Sequence, residues 1–428
     1  MRSLVGLLSG YTILVCGNSL LTTLISLRML HAAHSALAVG LVQSCYYIGF
    51  ICGALGLGPL VTRIGPQRAF IGFSAITALA ALGYLSFDTP EAWAALRLVM
   101  GFSMVGVFTS IESGVNGAVQ NAQRGRAFAL YLVLTYLGVS AGQFLLGANA
   151  PGSLAEHGLV NALFVAALVP VALIGDWQQV VVTPRPVATP LATPKRPTLL
   201  LDGLRELTRV APRSVPACIG AGLLSSAFYA LTPVYLADIG YPSSEISHAM
   251  GVVLIGALLS QWPVGRLSDR LGRRATLGAV ALVAAFAAAA LIVIRVAAIV
   301  DVLLFLYVAL TFTLYGVIVS DVNDRVDQAR RVQTSATLLL VFSLGGAAGP
   351  TLASLFMRLL GAGGLYVFAL VITLALAALS RAPERAVAQA REPADAPPVE
   401  HAHESTKERA SEHVIEPVIV KESQASEP

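Results

Sequence analysis

Two ionisable side chains stand in apolar sequence, where charge is costly: Arg97 in "RLVMG" and Glu112 in "SIES". Inside a membrane helix such a group costs about 2.5–3.5 kcal/mol on insertion scales, so its presence points to function. A guanidinium keeps its charge and only donates hydrogen bonds, whereas a carboxyl can exchange a proton. One continuous helix would set the two about 22 Å apart along its axis and about 60° apart around it, on one broad face but out of contact. Each therefore needs its own partner. Arg97 favours an anionic solute and Glu112 opposes one, so the sum is open at this point. A second concentration of charge is "GRLSDRLGRR", residues 265–274, with five charged side chains in ten positions of a chain that is only 12% charged. No G-x-x-x-x-G-K-[ST] loop, Ser-His-Asp order or metal-ligand cluster occurs in the sequence, and Cys16, Cys45, Cys52 and Cys218 all lie in apolar runs. Enzymatic chemistry, a cofactor and a metal are therefore not expected.

The elements that must position these residues are membrane helices. Over 428 residues 56% are hydrophobic and the mean hydropathy is +0.74, far from the ~25% charge of soluble domains. The apolar runs are about 20 residues long, enough to cross ~30 Å of hydrocarbon. Spans are predicted at about 4–30, 36–61, 69–88, 92–121, 126–149, 158–176, 213–237, 244–268, 275–297, 300–322, 333–357 and 362–380. The first run is too long and too polar at Asn18, Thr22 and Thr23 for a signal peptide. The fold class expected is therefore an all-α integral membrane protein of twelve helices. Its bundles are residues 1–176 and 213–381, joined by a linker at 177–212, where repeated prolines argue against regular structure. Residues 382–428 are polar and expected to form a disordered tail. All Lys and Arg residues except Arg28, Arg97, Arg295 and Arg358 fall on the side that carries both termini. That side is expected to be cytoplasmic. The net charge of +4 is spread over loops, so no nucleic-acid partner is expected.

The charged loop has a copy. Gly58 and Gly265 are 207 positions apart, and the same offset pairs Leu60 with Leu267, Arg63 with Arg270 and Gly65 with Gly272. It also carries Gly138 and Gly142 onto Gly345 and Gly349. Two separate sites in one register argue for two homologous six-helix halves related by an axis along the membrane normal. Small glycine faces at both places permit close helix packing. In the second loop Gly265 and Gly272 would allow close backbone approach, and Asp269 could accept from the backbone donors of a neighbouring helix start. Arg270, Arg273 and Arg274 need acceptors, of which Asp321 and Asp324 are nearest by topology. On the polar side of the cavity-facing helices stand Asn18, Gln143, Tyr229 and Tyr315, whereas Tyr235 is expected to cap the membrane interface.

These features resemble the major facilitator superfamily, whose loop between helices 2 and 3 carries G-x-x-x-D-R-x-G-R-R, often echoed between helices 8 and 9. The second copy here is complete in Gly265, Asp269, Arg270, Gly272, Arg273 and Arg274. The first keeps Gly58, Arg63, Gly65 and Arg68 but has Thr62 in place of the aspartate. "SQWPVGRLSDRLGR", "FTLYGV", "SIES" and "LGVSAGQFL" are similar to the YcaD-like group of bacterial inner-membrane transporters. The resemblance implies a monomeric secondary transporter moving a small solute through the lipid bilayer of the inner membrane. It also implies a loop that latches the halves on the cytoplasmic face; topology setting is the alternative role for its arginines. Arg97 with Gly101 resembles the superfamily's helix 4 arginine pattern, associated with proton coupling. Glu112 could exchange the proton, or it could pair with Arg63 or Arg68 as a gate acid. The fifth span lacks the proline of the antiporter pattern G-x-x-x-G-P, which appears instead as Gly349 and Pro350. Export of amphipathic drugs and a non-transporting receptor or scaffold stand as the other readings.

Overall fold

A computed structural model describes residues 2–118, 124–146, 154–173, 197–327 and 330–381. Its helices are α1 (Arg2–His31), α2 (Ala36–Ile64), α3 (Pro66–Ser86), α4 (Pro90–Ala118), α5 (Arg124–Leu145), α6 (Leu154–Ala166) and α7 (Leu168–Ala172) in the first half. After α8 (Pro197–Val210) come α9 (Ser214–Asp238), α10 (Ser243–Leu271), α11 (Arg273–Val293), α12 (Ala297–Asn323), α13 (Arg331–Leu360) and α14 (Gly364–Arg381). Among the described residues twelve helical segments are long and apolar enough to span a membrane, α6 and α7 together making the sixth. Pro170 separates those two, because it cannot donate to the Ala166 carbonyl and its ring crowds that group. Large apolar side chains such as Leu79, Phe286, Val302 and Leu359 are exposed around the outside, a surface suited to lipid rather than water.

The expected irregular linker is partly helical. Residues 197–210 form α8, which turns Leu207 into the protein while Arg205, Arg209 and the Glu206–Arg330 ion pair stay at the surface. The prolines upstream can exclude helix only where they stand, and Pro197 sits at the first position of α8, where no backbone donor is needed. The rest of the linker, 177–196, and the 382–428 tail lie outside the described residues.

The repeat is visible atom by atom. Gly65 and Gly272 end α2 and α10 with almost the same backbone, φ 87° and ψ 150° against φ 86° and ψ 151°. That conformation favours glycine, since a Cβ would strain it. Nothing approaches Gly265 or Gly272 within contact of an added Cβ, so the turn, and not the close approach expected, explains Gly272. On α5, a Cβ at Gly138 would lie 2.7 Å from the Thr12 carbonyl oxygen, and one at Gly142 would strike the Cys16 carbonyl. Their counterparts Gly345 and Gly349 face the carbonyls of Ile219 and Leu223, which are again 207 positions from Thr12 and Cys16. Glycine thus sets the α1–α5 and α9–α13 spacings identically.

The two bundles meet along α2 with α13 and α5 with α10. Ser44 and Thr351 hydroxyls share a hydrogen bond of 2.8 Å, Ser140 donates to Gly251 O at 2.7 Å, and Ser247 donates to Gln143 O at 2.5 Å. All three lie toward the end away from the basic loops. Gln261 Nε2 reaches Tyr136 Oη at 3.2 Å nearer the middle.

Candidate functional site

Arg97 is the largest fully buried side chain among the described residues, 1% exposed on α4. Gln43 on α2 holds it. Gln43 Nε2 donates to Thr22 O at 2.9 Å and to Ser26 Oγ at 2.8 Å, which turns its Oε1 toward Arg97 Nη2, 2.5 Å away. The Tyr46 ring lies 5.5 Å from the guanidinium carbon, within cation–π range. Arg97 Nε and Nη1 have no hydrogen-bond partner, and Asn18 Oδ1 has none either. Among the described residues no carboxylate pairs with Arg97.

Asn18, Thr22, Gln43, Tyr46 and Arg97 border a cavity of about 270 Å³ between the two bundles. The first bundle contributes Asn18, Thr22, Gln43, Arg97 and the rings of Tyr46, Tyr47, Phe50 and Phe108. Across from them stand Tyr229, Phe342, Ser343 and Pro350. Tyr229 is held by T-shaped contacts with Phe228 and Phe312 at 5.3 and 5.5 Å. Among the described residues the cavity therefore carries its one charge on the Arg97 wall, and its lining elsewhere mixes aromatic and aliphatic side chains with a few hydroxyls.

Of the residues expected on the path, Asn18, Arg97 and Tyr229 line this cavity. Gln143 does not. It is fully buried between α1 and α5, where Nε2 donates to Ser19 O and Oγ and Oε1 accepts from Thr23 Oγ1. Its polarity is consumed in joining helices. Tyr315 stands behind the wall, stacked edgewise on Phe342 at 4.9 Å. Tyr235, expected at the interface, is wholly buried and donates to Leu291 O at 2.9 Å. Glu112 is half-buried on α4, away from the cavity, within electrostatic reach of Tyr11, Tyr131 and Tyr315. Neither Arg63 nor Arg68 pairs with it here, and both are exposed. Gln43, Tyr46 and Tyr47 are cavity residues that the path assignment overlooked; their signal is the lone glutamine followed by two tyrosines in "GLVQSCYY".

The charged loop braces one bundle in this structure. Arg273 donates to Asp269 at 2.6 Å and to Asp324 at 3.0 Å, and Arg274 donates to Ser380 O. Asp321 is engaged by Arg325, in the turn just after its helix, at 3.0 Å, and Arg270 is exposed. Asp269 accepts from the Arg273 side chain, not from backbone as expected. In the first copy Thr62 spends its hydroxyl on Pro59 O. Asp269 and Asp324 side chains are 65% and 58% exposed, so the pairs are worth only ~0–1 kcal/mol each. Asp269→Asn is therefore expected to leave thermal stability nearly unchanged while lowering transport, and Thr62→Ala to alter neither. Equal transport loss in both variants would contradict an asymmetric role for the two copies.

A twelve-span helical protein whose two bundles share a partly polar cavity has the architecture of a membrane transporter. The family model described as Major Facilitator Superfamily matches residues 7–324 and 244–419, and the chain belongs to that superfamily. It is 29% identical over 357 residues to the uncharacterized MFS-type transporter YcaD of Escherichia fergusonii, covering 83% of this chain and 89% of the relative. The YcaD of Salmonella arizonae is 28% identical over 352 residues, covering 82% and 88%. Among solved structures, the nucleoside transporter NupG is similar with TM-score 0.71 and 17% identity, covering 90% of this chain and all of that one. A bacterial homolog of the human lysosomal transporter Spinster, inward-facing and unoccupied, gives TM-score 0.70 at 14% identity, covering 88% and 95%. At these identities the structural likeness speaks for the fold alone.

Proposed function

We propose that the chain is a monomeric, proton-coupled secondary transporter that moves a small solute across a bacterial inner membrane by alternating access. Residues 1–176 and 213–381 are the rocking bodies, and both termini face the cytoplasm, where the basic loops gather. The single observation that carries this reading is the central cavity. It is lined by both bundles, and the inter-bundle hydrogen bonds gather toward the end away from the basic loops. A site shared by two bodies changes its access when the bodies rock. The charged loop serves the opposite state, in which Arg63, Arg68 and the second-copy arginines close the basic end.

A direct test uses reconstituted protein loaded with a metabolite extract. In a background lacking native cysteines, Ser44→Cys with Thr351→Cys should form a disulfide, since the hydroxyls are 2.8 Å apart. Oxidation should stop the efflux of whichever solute the unlocked protein releases, and reduction should restore it. Efflux unaffected by a formed cross-link argues against alternating access, and the absence of any released solute favours a receptor or scaffold.

Proton coupling rests on Glu112. Tyr11 Oη lies 3.4 Å from Tyr131 Oη and 3.1 Å from Thr135 Oγ1, and Thr135 borders the cavity. This chain of hydroxyls leads from the neighbourhood of Glu112 toward the solute. Glu112→Gln should retain facilitated flux but lose its dependence on an imposed pH gradient. A variant that still concentrates solute against a gradient would rule Glu112 out as the proton carrier.

A further inference from the structure

We propose that the central cavity binds a small organic anion, a carboxylate on a flat apolar body, with Arg97 as its counter-ion. The proposal deepens the transport reading by naming the class of solute, and it rests on that reading for the solute's being cargo.

Arg97 carries a permanent positive charge, and its side chain is almost wholly buried. Gln43 engages Nη2 alone, so Nε and Nη1 are buried without a partner on a side chain that borders the cavity. A buried charge of this kind is normally paired. Among the described residues no carboxylate does so, and Glu112 is about 22 Å along the same helix. The missing partner is therefore external and negative. Asn18 stands on the same cavity with an unpartnered Oδ1. Turning its carboxamide over would present N–H donors to an anion oxygen instead. A cation in this place would meet the like charge of Arg97, and a neutral solute would leave that charge uncompensated.

The rest of the wall describes the body of the solute. Tyr46, Tyr47, Phe50 and Phe108 face Tyr229 and Phe342 across the cavity. Aromatic walls favour an apolar, preferably flat, group. A volume of about 270 Å³ equals about nine water molecules at ~30 Å³ each, which admits one ring with its carboxylate. Gln43 acts as a positioning residue: two bonds to α1 aim its carbonyl at Arg97 Nη2 and so fix the guanidinium at the cavity's edge.

The test measures thermal unfolding of the purified full-length protein with benzoate, its neutral isostere benzamide, the cation benzylamine, and acetate. Benzoate is expected to raise the midpoint progressively with concentration. Benzamide and benzylamine should not, and acetate should do so more weakly because it lacks the ring. Arg97→Gln should lower the apparent affinity for benzoate at least tenfold, with Arg97→Lys between it and the wild type. If Arg97→Gln fails to fold, Gln43→Glu supplies an internal counter-ion and should abolish the benzoate shift. Equal shifts from benzoate and benzamide, a shift from benzylamine, an unchanged response in the folded variants, or no response to benzoate each overturn the proposal. Reconstituted flux separates it from the transport reading. Benzoate binding without any flux keeps the anion site and removes transport; flux of a neutral or cationic solute without a benzoate response does the reverse.

Discussion

Gly101→Ala is expected to destabilise the protein by at least about 2 kcal/mol, although alanine is the better helix former. A Cβ at Gly101 of α4 would strike the Tyr46 carbonyl oxygen and lie 2.7 Å from its carbon and 3.0 Å from Phe50 N. The contact is reciprocal, because a Cβ at Gly49 of α2 would strike the Leu98 carbonyl. Both obstacles are backbone, which cannot rotate aside as a side chain can. The helices must separate, and overpacking of this kind costs ~1–3 kcal/mol or more. Separation also moves Tyr46 and Gln43, on the same helix, away from Arg97. The control is Gly72→Ala, on exposed helix with nothing near the added carbon, where helix propensity should give a neutral or favourable change of up to ~1 kcal/mol. Thermal unfolding of the two variants in one detergent decides the matter. A Gly101→Ala protein as stable as Gly72→Ala would mean that α2 and α4 are not held at this distance.

The second large effect is expected from one exchanged atom. In Gln43→Glu the nitrogen that donates to Thr22 O and Ser26 Oγ becomes oxygen, and a negative charge is placed at the 2.5 Å contact with Arg97. Ser26 can turn its hydroxyl from Thr22 O to the new carboxylate, whereas the Thr22 carbonyl keeps only its helical backbone donor and faces a carboxylate oxygen; the new ion pair offsets that loss. Stability should therefore change little. Function should change greatly, because the cation that a solute would engage is already neutralised. Initial transport rates are expected to fall at least ~30-fold, equivalent to about 2 kcal/mol of lost interaction. Gln43→Leu should also impair transport, but with reduced stability, since it removes a partner from a buried charge. Transport of the Gln43→Glu protein within a few-fold of wild type would show that the charge of Arg97 does not face the solute.

The two variants also mark where sequence reasoning stops. Hydropathy and length located the twelve spans, because every backbone group in hydrocarbon must be satisfied inside a helix and a helix needs about 20 apolar residues to cross. The offset of 207 residues between the loop glycines established two equivalent halves, and the structure repeats it in the Gly65 and Gly272 backbones and in the carbonyls that face Gly138 and Gly345. Arg97 was legible as a functional candidate because charge in an apolar run is costly wherever the run packs. Asn18 and Tyr229 were legible by polarity in the same way.

Polarity alone could not distinguish a side chain facing a cavity from one facing another helix. Gln143 and Gln43 are the same residue type, each in a span and each buried. Gln143 has its amide taken up between α1 and α5, whereas Gln43 spends two donors on α1 and turns its acceptor to Arg97 at the cavity. Likewise the arginines of the charged loop were expected to join the halves, and in this state Arg273 reaches Ser268, Asp269 and Asp324, all of its own bundle. Composition and period determine which segments enter the membrane, since the bilayer reads each segment by itself. Which polar atoms remain unpartnered at the centre depends on helix rotations and on how far two bundles stand apart, quantities set by contacts between residues distant in the chain. Only the tertiary structure decided that Arg97, held by Gln43 beside a cavity, is left with two unpartnered donors.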